Sequence, residues 1–161
     1  QHTRGGLLHV DYNEPGASSH EEYLRTILRL GMPPATVTEG YRRMVFNILG
    51  VNQDDHVKNF SFHMNKDGEW SLTPAHDITF PKGVNWTHAH QMRVRDKRTG
   101  IRRKDLLEVA AMFDIRAPEK IIDQVADILV RWPEYARETG VPEDDIQRIN
   151  RELRARTAEV G

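Results

Sequence analysis

Glycine and proline divide the apolar residues of this 161-residue sequence into short segments of helical period. In each segment, apolar side chains recur every three or four residues, which places them along one face of a helix. The stripes are Tyr23, Leu24, Ile27 and Leu28; Tyr41, Met44, Val45, Ile48 and Leu49; Leu106, Leu107, Ala110 and Phe113; Ile121, Val125, Ile128, Leu129 and Trp132; and Ile146, Ile149 and Leu153. The alternating strands of a parallel sheet are missing, so the sequence predicts one mainly helical domain.

Capping signals predict where several of these helices begin and end. Ser19 with Glu22 has the spacing of a capping box, and Thr36 with Glu39 repeats it. Pro133 follows the fourth stripe and is expected to end that helix.

The middle of the chain has the pattern of a β-hairpin. Residues 60–64 and 70–72 alternate apolar and polar side chains around the turn residues Asn65-Lys66-Asp67-Gly68. A second small hairpin is expected from Met92 to Arg95, with a turn over Lys97–Gly100, and the Gly- and Asn-rich residues 1–17 are expected to be loop. The predicted fold is therefore mainly α with a small β-hairpin insert.

Composition excludes several function classes. The net charge of −1, with both signs spread along the chain, argues against a general nucleic-acid or membrane-surface binder. The absence of cysteine excludes disulfides, thiolate metal sites and a cysteine nucleophile, and it fits a reducing cytoplasm. The sequence has no apolar run near the roughly 20 residues of a membrane span.

The densest polar cluster, residues 52–59, lies between the second helix and the hairpin. It contains Asp54, Lys58 and Asn59, and the hairpin should return Asp77 close to it. Phosphoryl transfer needs a carboxylate for the hydroxyl proton, a carboxylate and a carboxamide for Mg²⁺, and a cation for the developing charge. In that order, Asp54, Asp77, Asn59 and Lys58 match these four roles.

Other interpretations of the polar residues remain open. Asp and Asn between two elements are commonly turn formers and helix caps. His76-Asp77 is also the residue pair of metal-dependent phosphohydrolases, although there the pair normally lies on a helix. His88 and His90 form a weak H-x-H metal pattern, and the basic run from Lys97 to Lys104 is either a solvated edge or a phosphate contact.

Two ordered motifs make the sequence resemble HipA, the kinase of bacterial HipA/HipB toxin–antitoxin systems. Residues 52–61, NQDDHVKNFS, are similar to that family's D-x-H-x-K-N-[FY]-S catalytic loop, and residues 70–78, WSLTPAHDI, to its W-x-L-[AT]-P-x-[YH]-D-[IL] segment. The separation of Asp54 and Asp77 is also the family's. The resemblance covers nearly the whole chain, more loosely after Phe113.

The resemblance implies that residues 1–161 are the helical C-terminal lobe of a bilobal kinase-like fold. It implies Asp54 as the catalytic base and Asn59 and Asp77 as Mg²⁺ ligands. His56, Lys58 and His76 would join Asn59 and Asp77 in binding the nucleotide.

The resemblance also implies ATP as phosphate donor and a protein serine or threonine as acceptor, aminoacyl-tRNA synthetases being among the family's acceptors. Its implied partner is a small helix-turn-helix antitoxin of the HipB type, which would be the only route to DNA; no membrane is implied.

One departure from the family affects the expected activity. The family's Gly-rich loop and ATP-binding lysine lie in its N-terminal half, and nothing before Asp54 resembles them. We therefore expect the 161 residues to be inactive alone. The alternative, from another functional class, is a non-catalytic helical module that binds a partner.

Overall fold

The computed structural model describes residues 2–3, 16–81 and 88–160, and within them the chain is mainly helical, as predicted. The helices are α1 (His20–Arg29), α2 (Pro34–Leu49), α3 (Arg103–Met112), α4 (Pro118–Val130), α5 (Trp132–Glu138) and α6 (Glu143–Val160). The strands are β1 (His2–Thr3), β2 (Ser61–Met64) and β3 (Trp70–Leu72), and a single 3₁₀ turn covers Val57–Asn59.

Helix α2 is the centre of the core. Its predicted stripe is fully buried, and the helix packs against α1, α4 and α6. Gly40 lets α1 approach closely, because a Cβ atom there would lie 2.6 Å from Cδ1 of Ile27 and 2.9 Å from Cδ2 of Leu24. A helix held on three sides is a rigid support for the polar loop that follows its C-terminal end.

The predicted start of α1 is confirmed, but that of α2 is wrong. Ser19 caps α1, with the Ser19–Glu22 capping box formed in both directions. Helix α2 instead begins at Pro34, two residues before Thr36, and its cap residue Pro33 makes no side-chain cap bond. Proline is favoured in the first turn, where its missing N–H has no helical partner to lose.

The predicted hairpin is confirmed, and it belongs to a three-stranded antiparallel sheet of order β1-β2-β3. Phe62 pairs with Leu72 on one side and with His2 on the other. The expectation of loop over residues 1–17 is thus wrong at His2–Thr3, and for residues 1 and 4–15 it falls outside the described residues. A two-residue strand gives too little alternation to be recognised in a sequence.

The second hairpin is reduced to one isolated bridge. Val94 and Lys97 exchange two backbone hydrogen bonds of 2.9 Å each. The turn between them is Arg95-Asp96, both with positive φ (48° and 63°), rather than the expected Lys97–Gly100. Two consecutive left-handed residues form the tight turn type that suits an antiparallel pair.

The expected end of the fourth helix is also wrong. Helix α4 ends at Val130, and Trp132 already belongs to α5, with Pro133 in the first turn of that helix. Proline near a helix boundary therefore starts a new helix here rather than ending the previous one.

Candidate functional site

The loop between α2 and β2 is folded back on itself by its own polar groups. It leaves α2 at Val51 with a positive φ of 55° and ends in the 3₁₀ turn. The Nδ2 group of Asn59 donates a 2.9 Å hydrogen bond to the carbonyl oxygen of Asp54, which closes the six residues 54–59 into a ring. The backbone N–H of Asn59 bonds the carbonyl of His56 at 3.0 Å. Asp54 and Asn59 are therefore held together at one end of the loop.

The hairpin returns Asp77 to this loop, as the sequence predicts. Asp54, His56 and Asp77 each offer a ligand atom, and these atoms all lie within 4.8 Å of one another. Nε2 of His56 lies 3.9 Å from Oδ1 of Asp54. Within the described ranges, this is the group of acidic and histidine side chains close enough to hold a metal ion. The cluster therefore brings together Asp77, expected from sequence as a metal ligand, Asp54, expected as the base, and His56, expected to bind the nucleotide.

The donors of this cluster fit a magnesium ion. The carboxylate oxygens of Asp54 and Asp77 are hard donors, which Mg²⁺ prefers, whereas imidazole suits softer metals. Asp54 and His56 are about one-third exposed and Asp77 is exposed, so solvent and a substrate can reach all three. Asp77 itself has a left-handed backbone, with a φ of 54°.

A cleft of about 210 Å³ opens beside the cluster. Asn59 and His76 are among the residues that line it, and Phe46, Phe60 and Ile78 provide apolar surface. The exposed ring of His76 approaches the carbonyl of Pro74 at 3.3 Å, while Lys58 is exposed on the loop. All six residues selected from the sequence thus lie on this loop or on the segment that follows β3.

Asp55 is a structural centre that the sequence reasoning missed. Its side chain is fully buried, and its carboxylate lies 3.1 Å from Nε2 of His20 and 3.1 Å from Nδ1 of His90. It also accepts backbone bonds from Gln91 at 2.7 Å and from Met92 at 3.4 Å. The residue next to Asp54 therefore joins the loop to the start of α1 and to the segment that precedes the Val94–Lys97 bridge.

The electrostatics of Asp55 follow from these contacts. Burial alone would raise the pKa of its carboxyl, but the His90 and His20 rings that bond it hold that pKa well below its usual range. An ionised carboxylate only accepts hydrogen bonds, so both rings donate to it. The sequence gives no signal for this buried cluster beyond the presence of His20 and His90, because no local spacing connects either residue to Asp55.

Two of the weaker sequence interpretations concern histidine residues, and the geometry supports neither. His90 is buried against Asp55 and His88 is exposed, so they do not share a metal site in the described chain. His76-Asp77 lies in an irregular segment rather than on the helix expected of a phosphohydrolase pair.

In the basic run, Lys97 bonds Asp105 at 2.8 Å and Arg103 bonds Asp123 at 2.9 Å. Nε of Arg98 donates to the carbonyl oxygen of His90 at 2.7 Å. These basic side chains therefore serve internal contacts.

Among the described helices, none has the length and apolar character needed to cross a bilayer.

Comparisons with known proteins bear on the family and the fold of this chain. The family model described as "HipA-like C-terminal domain" matches residues 1–160. The fold resembles a chain of the Shewanella oneidensis MR-1 toxin–antitoxin complex of HipA, HipB and operator DNA, with a TM-score of 0.69 and 21% sequence identity.

The match covers 88% of this chain and 35% of the Shewanella chain, so the present chain spans about a third of that protein's length. At this identity, the likeness shows the fold. No curated protein sequence matches significantly.

Proposed function

The chain belongs to the family of HipA-like C-terminal domains, and from this premise we propose that it is the catalytic lobe of an ATP-dependent serine/threonine protein kinase of the HipA type. The observation that carries the proposal is the meeting of Asp54 and Asp77, which are 23 positions apart in sequence, beside Asn59. A helical module that only binds a partner has no need to bring these groups together.

Each site residue has a role that its position supports. Asp54 is the base, because its carboxylate is partly exposed and can receive the proton of an acceptor hydroxyl. Asp77 and Asn59 hold Mg²⁺ through oxygen atoms, and the chemistry that magnesium supplies when bound is neutralisation of phosphate charge. Lys58 and His56 lie on the same loop as Asn59, His76 precedes Asp77, and these three residues bind the phosphates of ATP.

The cleft beside Asn59 and His76 supports nucleotide binding. Phe46, Phe60 and Ile78 give part of its lining an apolar surface for an aromatic base, and its polar residues Asn59 and His76 lead towards the cluster that would receive the phosphate chain. Bound to these 161 residues alone, the nucleotide would still lack the Gly-rich loop and the ATP-binding lysine of the family's N-terminal half. Because phosphoryl transfer depends mainly on positioning and electrostatics, we propose that the 161 residues alone transfer no phosphate.

The partners proposed for the longer protein are a protein substrate, such as an aminoacyl-tRNA synthetase, and a helix-turn-helix antitoxin of the HipB type in the cytoplasm. The Shewanella structure contains HipA, HipB and operator DNA. In the present chain, Lys97 and Arg103 are engaged with acidic neighbours, which favours DNA contact through the antitoxin rather than directly.

Calorimetry of ATP binding with and without Mg²⁺ tests the site. We expect Asp77→Ala to remove the part of the affinity that depends on Mg²⁺ and to change metal-free binding little, since Asp77 is assigned to the metal. Asp67→Ala is the matched control, because it removes an exposed carboxylate from the turn of the same hairpin. Equal losses with and without Mg²⁺ in Asp77→Ala would contradict the assignment.

A further inference from the structure

The segment that carries Asp77 has little structure of its own. Residues 74–80 belong to no helix or strand, and no backbone–backbone hydrogen bond joins them to another part of the chain that the structure describes. Something else must fix the distance between Asp77 and the loop that carries Asp54. The last firmly held residue before Asp77 is Thr73, at the exit of β3.

Thr73 is tied to two separate elements. Its backbone N–H and its hydroxyl both donate to the carbonyl oxygen of Ser61 on β2, at 3.1 and 3.2 Å. Its own carbonyl oxygen accepts a 2.8 Å hydrogen bond from Nη1 of Arg43 on α2. The buried Thr73 therefore anchors the exit of the hairpin to the helix that leads into the Asp54 loop.

Arg43 is itself oriented by a neighbour on the same helix. Its Nε donates to Oε1 of Glu39, one turn earlier, at 2.9 Å. The pair is partly exposed, so its own contribution to stability is small. Its geometric effect is larger, because a guanidinium fixed through Nε presents Nη1 in one direction, towards Thr73.

We propose that Arg43 is a positioning residue that holds the Asp77 segment against α2 and thereby sets its distance from the Asp54 loop. This inference rests on the proposed metal role of Asp77. Arg43 acts through Thr73 and is not itself assigned any contact with the metal ion, the nucleotide or the acceptor hydroxyl. Removing a group that orients a metal ligand without binding the metal itself typically weakens metal affinity by about 10- to 100-fold.

Charge makes the test selective. Arg43 also lines the cleft beside the site, so its removal takes a positive charge from the neighbourhood of a bound cation. By charge alone, Arg43→Gln should strengthen binding of a divalent cation. Loss of positioning predicts the opposite, a weaker affinity, so the direction of the change separates the two effects.

The first measurement is titration of the chain with Mn²⁺ alone, followed by electron paramagnetic resonance. We expect Arg43→Gln to weaken Mn²⁺ binding by about 10-fold. Arg43→Lys, which keeps the charge and one donor, should recover part of it, and Glu39→Gln should give a smaller loss. Arg42→Gln is the matched charge control. Arg42 lines the same cleft and its Nε lies 3.9 Å from Glu39, but its hydrogen bond goes to Gln124 on α4 and not to Thr73, so we expect a change within about twofold.

The second measurement needs no metal. Backbone ¹⁵N order parameters report ordering of residues 75–78 on the picosecond to nanosecond timescale. In folded Arg43→Gln they should fall, while those of β2 and of the Arg42→Gln control stay at the wild-type level. Circular dichroism melting confirms that each variant is folded.

The outcomes separate the two proposals. Wild-type chain that binds no Mn²⁺ would remove the metal assignment, and the order parameters would still decide the role of Arg43. Unchanged order parameters at residues 75–78, or Mn²⁺ affinity that is unchanged or increased in Arg43→Gln, would overturn the positioning role.

Discussion

Replacement of Asp55 by alanine should destabilise the chain strongly. The change removes a fully buried carboxylate that accepts bonds from His20, His90 and Gln91, all at 3.1 Å or less. Each buried donor left without a partner costs about 1–3 kcal/mol. Breaking a buried charge-assisted pair typically costs about 3–5 kcal/mol in total. Because such terms are not additive, we expect Asp55→Ala to lower the free energy of unfolding by about 3–5 kcal/mol.

Urea unfolding at neutral pH, followed by far-ultraviolet circular dichroism, measures this loss. Asp55→Asn is the milder variant, because its remaining oxygen still accepts the backbone bond from Gln91 while its amide faces the two rings. Its destabilisation should be intermediate. The free energies of unfolding of both variants are compared with that of the wild-type chain, using one common value for the dependence of the free energy on urea concentration.

Asp54→Asn is the matched control for Asp55. Asp54 is the preceding residue in sequence, is about one-third exposed, and has Nε2 of His56 at 3.9 Å from its carboxylate. A surface change of this kind should alter stability by no more than about 0.5 kcal/mol. If Asp55→Ala unfolds at the same urea concentration as Asp54→Asn, the buried network does not hold the loop and the reasoning is refuted.

Two further predictions concern the chain itself. Asp105→Asn should lower the free energy of unfolding by about 1 kcal/mol at pH 7, because Asp105 accepts hydrogen bonds from the Arg102 N–H and from Lys97 at the start of α3. Burial disfavours the charged form of Asp105, but the bond from Lys97 favours it, and the pKa of the carboxyl is lowered. The difference in stability from wild type should therefore persist above about pH 4 and shrink as the pH falls towards the folded-state pKa. The purified 161-residue chain should show no ATP turnover with a generic protein acceptor, and robust turnover that disappears in Asp54→Asn would contradict this.

The parts of the fold that were predictable from sequence are those with local signals. The Ser19–Glu22 capping box and the buried stripe of α2 depend on residues within one or two helical turns of one another. The hairpin depends on a short alternation around Asn65–Gly68, and it made the return of Asp77 predictable as well. Local periodicity and turn chemistry therefore carried most of the architecture.

What remained hidden depends on contacts between distant residues. Asp55 lies 35 positions from each of its two histidine partners, and Arg43 lies 30 positions from Thr73. No pattern of spacing connects such residues, because the packing of separate elements brings them together. The start of α2 at Pro34 was missed for a different reason, since Thr36 and Glu39 imitate a cap inside the first turn of an existing helix.

Transfer of radiolabel from γ-³²P-ATP is the most direct test of the central claim, that Asp54 is the base of a phosphoryl-transfer site. The assay uses a longer protein in which this chain is joined to a nucleotide-gripping N-terminal lobe. It compares wild type with Asp54→Asn, after circular dichroism has shown that both are folded. We predict labelling of a serine or threonine by wild type and a loss of about 10²- to 10⁴-fold in the variant. Near-normal labelling by folded Asp54→Asn would contradict the account.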